Sequence, residues 1–190
     1  MKITVIGAIG MIGSRIVAEA AQRGHEVTAV SRSGAMTKGA SRATAMELSD
    51  TSAVIAVSPD RSGGSHEPTI RAHRNLIAAQ PSGRFLVVGG AGSLEIDGVR
   101  LKDTTGFPPA YYNEAATFST ILDLYRASRG LAWTMLSPAP MIAPGQRTGV
   151  YRVGSDSPIG DAISAEDFAV AIVDELEKPA HTGTRFTVAN

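Results

Sequence analysis

Apolar residues fall along this chain in two alternating rhythms. Lys2 to Ile6 is a short, largely β-branched run closed by Gly7, and it predicts a buried strand. From Met11 to Arg23 the rhythm changes. Met11, Ile12, Ile16, Val17, Ala20 and Ala21 recur at helical spacing, and Gly24 ends the helix. Glu26 to Val30 is the second strand. The first thirty residues therefore read as strand, glycine turn, helix, strand.

The alternation continues to the last residues. Ser31 to Ser41 is small, polar and basic, hence a loop. Ala43 to Leu48 is a short third strand and Ala53 to Val57 the fourth. Ser58 to Ser65 is a Ser/Gly/Pro loop. Pro68 to Gln80 is a helix with Ile70, Leu76 and Ile77 turned to the core. Arg84 to Val88 is the fifth strand, followed by Gly89-Gly90-Ala91-Gly92-Ser93. Leu94 to Phe107 is irregular, with a small hairpin at Asp97-Gly98. Pro109 to Arg129 is the longest helix, striped by Phe118, Ile121, Leu122 and Tyr125 and stopped by Gly130. Ala132 to Leu136 is the sixth strand. Residues 141 to 163 are loop-rich, with a strand pair around Tyr151 to Val153. Ala165 to Glu177 is a helix capped by Ser164, with Asp167 three residues on, and Arg185 to Val188 is a final strand.

Strands that alternate with helices predict an α/β fold: a three-layer, doubly wound, mainly parallel sheet with helices on both faces. No repeat, low-complexity segment or linker interrupts it, so residues 1–190 read as one domain. The connection between the second and fourth strands is short. Residues 48 to 53 leave almost no room for a helix there. Segments at about 94–110 and 138–164 are expected to shape a small substrate pocket.

Charge removes several functions. The 18 basic and 18 acidic residues cancel, so no general field draws in nucleic acid or an anionic membrane. With no cysteine there is no disulfide, thiol nucleophile or thiolate metal site. Lys2, the apolar stretch to Gly13 and Ala18-Glu19-Ala20 loosely mimic a secretory leader. Arg15 and Glu19 interrupt it, and the strand–turn–helix reading accounts for the same residues better. A cytoplasmic protein is expected, with no metal, acting as a monomer or homodimer on a small molecule.

The chemistry starts at Gly7-Ala8-Ile9-Gly10-Met11-Ile12-Gly13. This string follows a strand and opens a helix inside a strand–helix–strand unit, the setting a dinucleotide cradle requires. A pyrophosphate must come close to the backbone, and side chains at the turn would block it. The helix N-terminus offers free N–H donors and the positive end of a dipole. The third glycine lets helix and strand lie close. The spacing is Gly-x-x-Gly-x-x-Gly, not the Gly-x-Gly-x-x-Gly of many dehydrogenases.

The residues after the second strand choose the nicotinamide. An NAD-specific site places a carboxylate there for the ribose hydroxyls. This chain has Ser31-Arg32-Ser33. A guanidinium flanked by two hydroxyls suits a 2′-phosphate, so NADP(H) is expected over NAD(H). Lys38 and Arg42 could add charge.

At this point the sequence resembles the atypical short-chain dehydrogenase/reductase family, in particular its small NAD(P)H-binding, NmrA-like and flavin-reductase-like members. The matching strings are MKITVIGAIGMIGSRIVAEAAQRGHEVTAVSRS, RFLVVGGAGSL, LAWTMLSPAPMIAPGQRTGVYRVG and ISAEDFAVAIVDELEKP…RFTVAN, which together span nearly the whole chain. The resemblance implies a Rossmann-type fold with NADPH along the strand ends. It would put Gly7, Gly10, Ile12 and Gly13 on the phosphates and Arg32 on the 2′-phosphate. Val57, Ser58 and the Gly89-Gly90-Ala91 turn would pass the adenine and ribose, and Ser137, Pro138 and Ala139 the nicotinamide. The family usually has Thr where this chain has Ile9, and Phe where it has Met11. A lost hydroxyl and a stiff β-branched side chain at the turn predict weaker cofactor binding.

Many members also use a Tyr-x-x-x-Lys pair to protonate a carbonyl oxygen. Here Tyr111 is followed four residues on by Ala115, and Tyr112 by Ala116. Ser93, Tyr111 and Tyr112 are the candidate catalytic groups. Ser93 reads equally as a turn serine holding the glycine loop. Hydride transfer to a flavin, quinone or tetrapyrrole can take its proton from solvent, which suits such a site. The alternative is a non-catalytic NADP(H) sensor of the NmrA-like kind. His25, His66, His73 and His181 have no ligand spacing and read as surface or loop residues. There is no Gly-x-Ser-x-Gly elbow and no Walker lysine, which disfavours a hydrolase or nucleoside triphosphatase.

Overall fold

Val5, Val54 and Leu86 lie side by side on three adjacent parallel strands, and each is at most 1% exposed. They mark the centre of the sheet in this computed structural model, which describes residues 1–32, 41–42 and 51–190. The strands are β1 (Lys2–Ile6), β2 (Glu26–Val30), β3 (Ser41–Arg42), β4 (Thr51–Ile55), β5 (Phe85–Val88), β6 (Glu95–Ile96), β7 (Val99–Arg100), β8 (Trp133–Pro138), β9 (Met141–Ala143), β10 (Arg152–Gly154), β11 (Ala162–Ser164) and β12 (Thr184–Ala189). The α-helices are α1 (Met11–Gln22), α2 (Glu67–Ala79), α3 (Pro109–Ala127) and α4 (Ala165–Glu177). The main sheet runs β10-β12-β8-β5-β4-β1-β2-β3, parallel except for β10.

The alternation of β-strand side chains divides the core in two. On one face Ile3, Val5, Val54, Leu86, Leu136 and Val188 meet α1 through Ile16 and Val17, and α4 through Phe168 and Ile172. On the other, Ala53, Ile55, Phe85, Val87, Trp133 and Met135 meet Phe118, Ile121, Leu122 and Tyr125 of α3, with Ile70, Leu76 and Ile77 of α2 at the margin. Each such large side chain contributes about 1.5–3 kcal/mol when fully buried. The fold is thus the doubly wound, mainly parallel Rossmann type. The segment that mimics a leader peptide is its central strand and first helix.

Local signals held where chemistry was specific. Ser164 caps α4, its Oγ accepting from the Asp167 amide at 2.9 Å. Gly24 follows α1 with φ +81°, and the β6–β7 hairpin turns on Asp97 and Gly98, both at positive φ. Other expectations need correction. The strand near Tyr151 has no local partner. It is β10, paired antiparallel with β12. Residues 141–163 hold a second small sheet, in which β9 and β11 run parallel. The helix α3 ends at Ala127 with Ser128 as its cap, and Gly130 comes later at φ +76°. His73 is not a surface residue; it is 4% exposed beneath α3. The expected strand at Ala43 to Leu48 lies outside the described residues, as do Ser33, Lys38 and the side chain of Arg42. The described third strand is Ser41–Arg42, which starts on the last residue of the segment read as loop.

Candidate dinucleotide site

In the order β2-β1-β4-β5 the chain winds outward from β1 in both directions, so a crevice opens at the carboxyl ends of β1 and β4. Gly7 sits at its base with φ +89°. Its amide and that of Ala8 both donate to the Val30 carbonyl of β2, at 2.9 and 3.2 Å, while Ala56 donates to the Ile6 carbonyl at 2.8 Å. Two strand ends are thus drawn against the first turn. A Cβ on Gly7 would lie 2.3 Å from the Ala56 oxygen, and one on Gly13 only 2.1 Å from the Gly7 oxygen. Both glycines are demanded by backbone contact inside the protein.

Gly10 is different. A Cβ there would meet nothing closer than the Gly7 oxygen at 3.3 Å, and its outward side is open. Gly10 is the N-cap of α1, no side chain caps the helix, and its first turn has no acidic residue. Ser14 is the first residue to donate back along the helix, to Gly10. The amides of Met11, Ile12 and Gly13 therefore point out of the helix with no intrahelical acceptor. An open glycine against a helix start with spare donors fits the paired phosphates of a dinucleotide.

The other named residues surround this point by topology. Ser31 and the exposed Arg32 follow β2, whose end is bonded to Gly7. Val57 and Ser58 are exposed at the end of β4. Gly89, Gly90 and Ala91 follow β5, and Ser137 and Pro138, which end β8, are buried together with Ala139 just after it. Ile9 and Met11 are 52% and 42% exposed on the rim, and Ile12 turns inward to the core. Ser137 carries a buried hydroxyl with no partner. A Cβ on Gly89 would lie 2.9 Å from both that oxygen and Met135 Cγ, so the two side chains together leave room only for glycine.

The three proposed catalytic groups are placed unequally. Ser93 is buried; its Oγ donates to the Gly90 carbonyl at 2.9 Å and accepts from Arg185 at 3.4 Å. That geometry agrees with the turn-holding reading of Ser93. Arg185 is itself buried and pairs with Asp156, which also binds Arg126. Tyr111 and Tyr112 are 63% and 44% exposed on the first turn of α3. The Lys102 ammonium lies 5.5 Å from the centre of the Tyr112 ring, a cation–π contact from outside the helix.

Two further features were not visible in sequence. Loop 58–66 is tied to α3: Arg61 makes a forked ion pair with Glu114, and the His66 ring lies 2.7 Å from the Thr117 hydroxyl. Loop 144–150 is tied to α1 and α4. Arg147 forks onto the buried Glu19, and Asp167 accepts from Thr148, Gly149 and Asn190. The Arg147 guanidinium, with help from Arg23 and against the cost of burial, holds the Glu19 carboxyl below its usual range. Such long-range pairs carry no periodic signal.

A cleft of about 370 Å³ lies elsewhere, at the C-terminal end of α4, lined by Tyr151, Asp174, His181 and Phe186 among others. Its acids are engaged: Asp174 and Glu177 bind Arg23, and Glu175 binds His181. It lies by the end of α4 that leads into β12, away from the crevice at the carboxyl ends of β1 and β4. Among the described residues no cluster of His, Asp or Glu could hold a metal, and no helix is long and apolar enough to cross a membrane.

Comparison with known proteins agrees with the geometry. Residues 7–179 match the sequence pattern of an NAD(P)H-binding family. The chain is 39% identical to the uncharacterized protein YwnB of Bacillus subtilis, with 100% of this chain and 99% of that one covered. Among solved structures, a "putative NADH-flavin reductase" from Streptococcus pneumoniae superposes with a TM-score of 0.85 at 34% identity, covering 100% and 99% of the two chains. A "putative exported protein" from Burkholderia pseudomallei gives 0.85 at 38% identity, with full coverage of both. A "putative epimerase" from Bacteroides thetaiotaomicron gives 0.84 at 34%, covering 99% and 96%.

Proposed function

Because the chain belongs to this NAD(P)H-binding family, of the atypical short-chain dehydrogenase/reductase kind, we propose that it is an NADPH-dependent reductase of a planar two-electron acceptor. The observation that carries the reading is the open Gly10 cradle at an uncapped helix start, next to Arg32 with no carboxylate at the end of β2. A nicotinamide held there would supply hydride chemistry, with a flavin, quinone or tetrapyrrole as the acceptor and water as the proton source.

The chain's own work is binding and orientation. The amides of Met11, Ile12 and Gly13 hold the pyrophosphate. Arg32, with Ser31 beside it, takes the 2′-phosphate in charge-assisted hydrogen bonds. The Gly89–Ala91 turn and Ser137–Ala139 form the floor beyond it. Tyr111 and Tyr112, with Ile9, Met11 and Val57, supply exposed apolar surface on segments that follow strand ends, suited to a flat aromatic acceptor. Segments 94–110 and 138–164 bound that pocket. No Tyr-x-x-x-Lys acid is needed for such an acceptor. A relative named for NADH-flavin reductase chemistry supports the flavin among the three.

The test is NADPH oxidation followed by absorbance with FMN, a quinone and biliverdin as separate acceptors. Turnover with one or more supports the reading. The rival, a non-catalytic NADP(H) sensor, is favoured by one observation: the Ser93 hydroxyl is engaged with Gly90 and Arg185 rather than free. Tight NADP(H) binding with no turnover on any acceptor would select it.

A further inference from the structure

Tyr111, Phe118 and Tyr125 recur every seven residues along α3. Seven residues are almost two whole turns, so each ring lies within about 20° of the next around the helix. Their shared line is the middle of the face packed on β4, β5 and β8. Phe118 is 4% exposed, and Leu122 and Tyr125 are wholly buried. Tyr111 stands on the same line and is 63% exposed.

The difference is height. β5 ends at Val88. Phe118 packs just past that end, where a Cβ on Gly90 would come within 3.0 Å of its ring. Ala115 closes on the following turn, where a Cβ on Gly92 would lie 2.3 Å from its methyl group. Tyr111 is one turn further toward the helix start, about 10 Å along the axis from Phe118. A core-facing ring thus overhangs the carboxyl ends of β4 and β5. Tyr112 is placed differently. It lies about 100° round the helix from Tyr111, where Lys102 stands over its ring.

A cation stands beside Tyr111. Glu114, the next turn on, holds Arg61 from the loop that leaves β4. The fork uses Arg61 Nε and Nη2, at 3.0 and 2.6 Å from the two carboxylate oxygens. Nη1 takes no part in it, and the side chain stays 67% exposed. The guanidinium therefore keeps donors on its other edge. Arg61 and Tyr111 are near enough for their charges to interact. The Asp60 carboxylate next to Arg61 in sequence is engaged with Ser62 and Gly64 of its own loop.

We propose that Tyr111 is the ring on which the acceptor lies, and that Arg61 selects acceptors whose flat ring carries an anionic arm, such as the phosphate of a flavin or the propionate of a tetrapyrrole. This rests on the reductase reading given above and deepens it. Stacking accepts any flat ring, so Tyr111 gives breadth. The guanidinium gives choice, because a neutral quinone offers it nothing. Glu114 shares the charge of Arg61, so the preference is modest in size.

Flavin-fluorescence titrations of the protein, with and without NADP⁺, test this without turnover. FMN should bind about three- to ten-fold more tightly than riboflavin, as one charge-assisted contact implies. Arg61→Gln combined with Glu114→Gln leaves the local net charge unchanged and should bring the two flavins level. Tyr111→Ala should weaken both about ten-fold, Tyr111→Phe should keep the binding, and Tyr112→Ala should cost less than Tyr111→Ala. Biliverdin against its dimethyl ester, followed by absorbance, puts the same question to tetrapyrroles, and the pair that shows the difference names the acceptor. Equal binding of the charged and uncharged members of both pairs, or no binding of any of them, would overturn the role of Arg61. A loss in Tyr112→Ala as large as that in Tyr111→Ala would overturn the role of Tyr111. Calorimetric titration with NADP⁺ separates the two readings. A protein that binds NADP⁺ and reduces only a neutral quinone remains a reductase without this selectivity. One that prefers FMN to riboflavin but binds no NADP⁺ keeps Tyr111 and Arg61 as a flavin site and loses the reductase reading.

Discussion

A methyl group on Gly7 would lie 2.3 Å from the carbonyl oxygen of Ala56, whereas one on Gly10 would meet nothing nearer than 3.3 Å. The first distance is a clash between two strand ends, and Gly7 also stands at φ +89°. Gly10 has an ordinary φ of −71° and open space before it. The two glycines of one motif are therefore required for different reasons. Gly7→Ala should lower stability by about 2–4 kcal/mol, through strain and overpacking. Gly10→Ala should cost only about 1 kcal/mol of stability, yet weaken NADP(H) binding by about ten-fold or more, because on the proposed function the methyl would take the place of a phosphate. Denaturant unfolding and calorimetric titration on both variants separate the effects. Equal binding loss without any stability difference would contradict the assignment.

On the function proposed above, Arg32 would carry the choice between cofactors. Arg32→Ala removes a charge-assisted interaction with the 2′-phosphate, worth about 1.5–3 kcal/mol. NADPH affinity should fall about ten- to hundred-fold while NADH affinity changes little. The arginine is exposed at the end of β2, so folding should not suffer. Parallel titrations with both nucleotides check it, and equal losses for the two would remove Arg32 from the site.

What could be read in advance followed the range of the interaction. The Ser164 cap, the Asp97-Gly98 hairpin and the strand–glycine–helix start are written within a few residues, and local chemistry fixes them. The pairing of β10 with β12 is not, since Val153 finds Val188, thirty-five positions further on. His73 was misread for the same reason. Nothing near it in sequence announces that Tyr125, on another helix, will cover it. Within the candidate site the strand–glycine–helix turn was legible because it is one contiguous string. The ties from Arg61 to Glu114 and from Arg147 to Glu19 were not, because each joins residues that only the fold brings together.

Burial of His73 gives the protein an acid-sensitive core. The Tyr125 hydroxyl lies 2.8 Å from His73 Nδ1, with its ring edge-on to the imidazole and beside Trp133. Removal from water pushes the His73 pKa down from 6.5 to about 4. The unfolded chain therefore takes up this proton more readily than the folded one. The contribution is intact above pH 6.5, declines as pH falls toward 4, and is exhausted below that value. The shift corresponds to about 3 kcal/mol lost across the window. His73→Gln should flatten the difference between urea midpoints measured at the two ends of that window. An unchanged slope in the variant would mean that the imidazole does not titrate in this way.

Asp167 should act at lower pH and in the same direction. Burial alone would raise its carboxyl, but donors from Thr148, Gly149 and Asn190 outweigh it and hold the carboxyl below the usual 3.8. Its stabilisation is therefore present above 3.8 and lost as pH falls through the lower folded value, outside the His73 window. The same carboxylate joins the start of α4 to loop 144–150 and to the last residue of β12's continuation, Asn190. Asp167→Asn keeps the size but turns an N–H₂ group toward donors that need acceptors. At neutral pH the variant should lose about 2–4 kcal/mol, as expected for a buried charge-assisted network missing its acceptor. Hydrogen exchange at Thr148 and Gly149, whose amides both point at Oδ1 from 2.8 Å, should accelerate ahead of the core strands. If those two amides exchanged no faster than in the wild type, this carboxylate would not be what holds the loop.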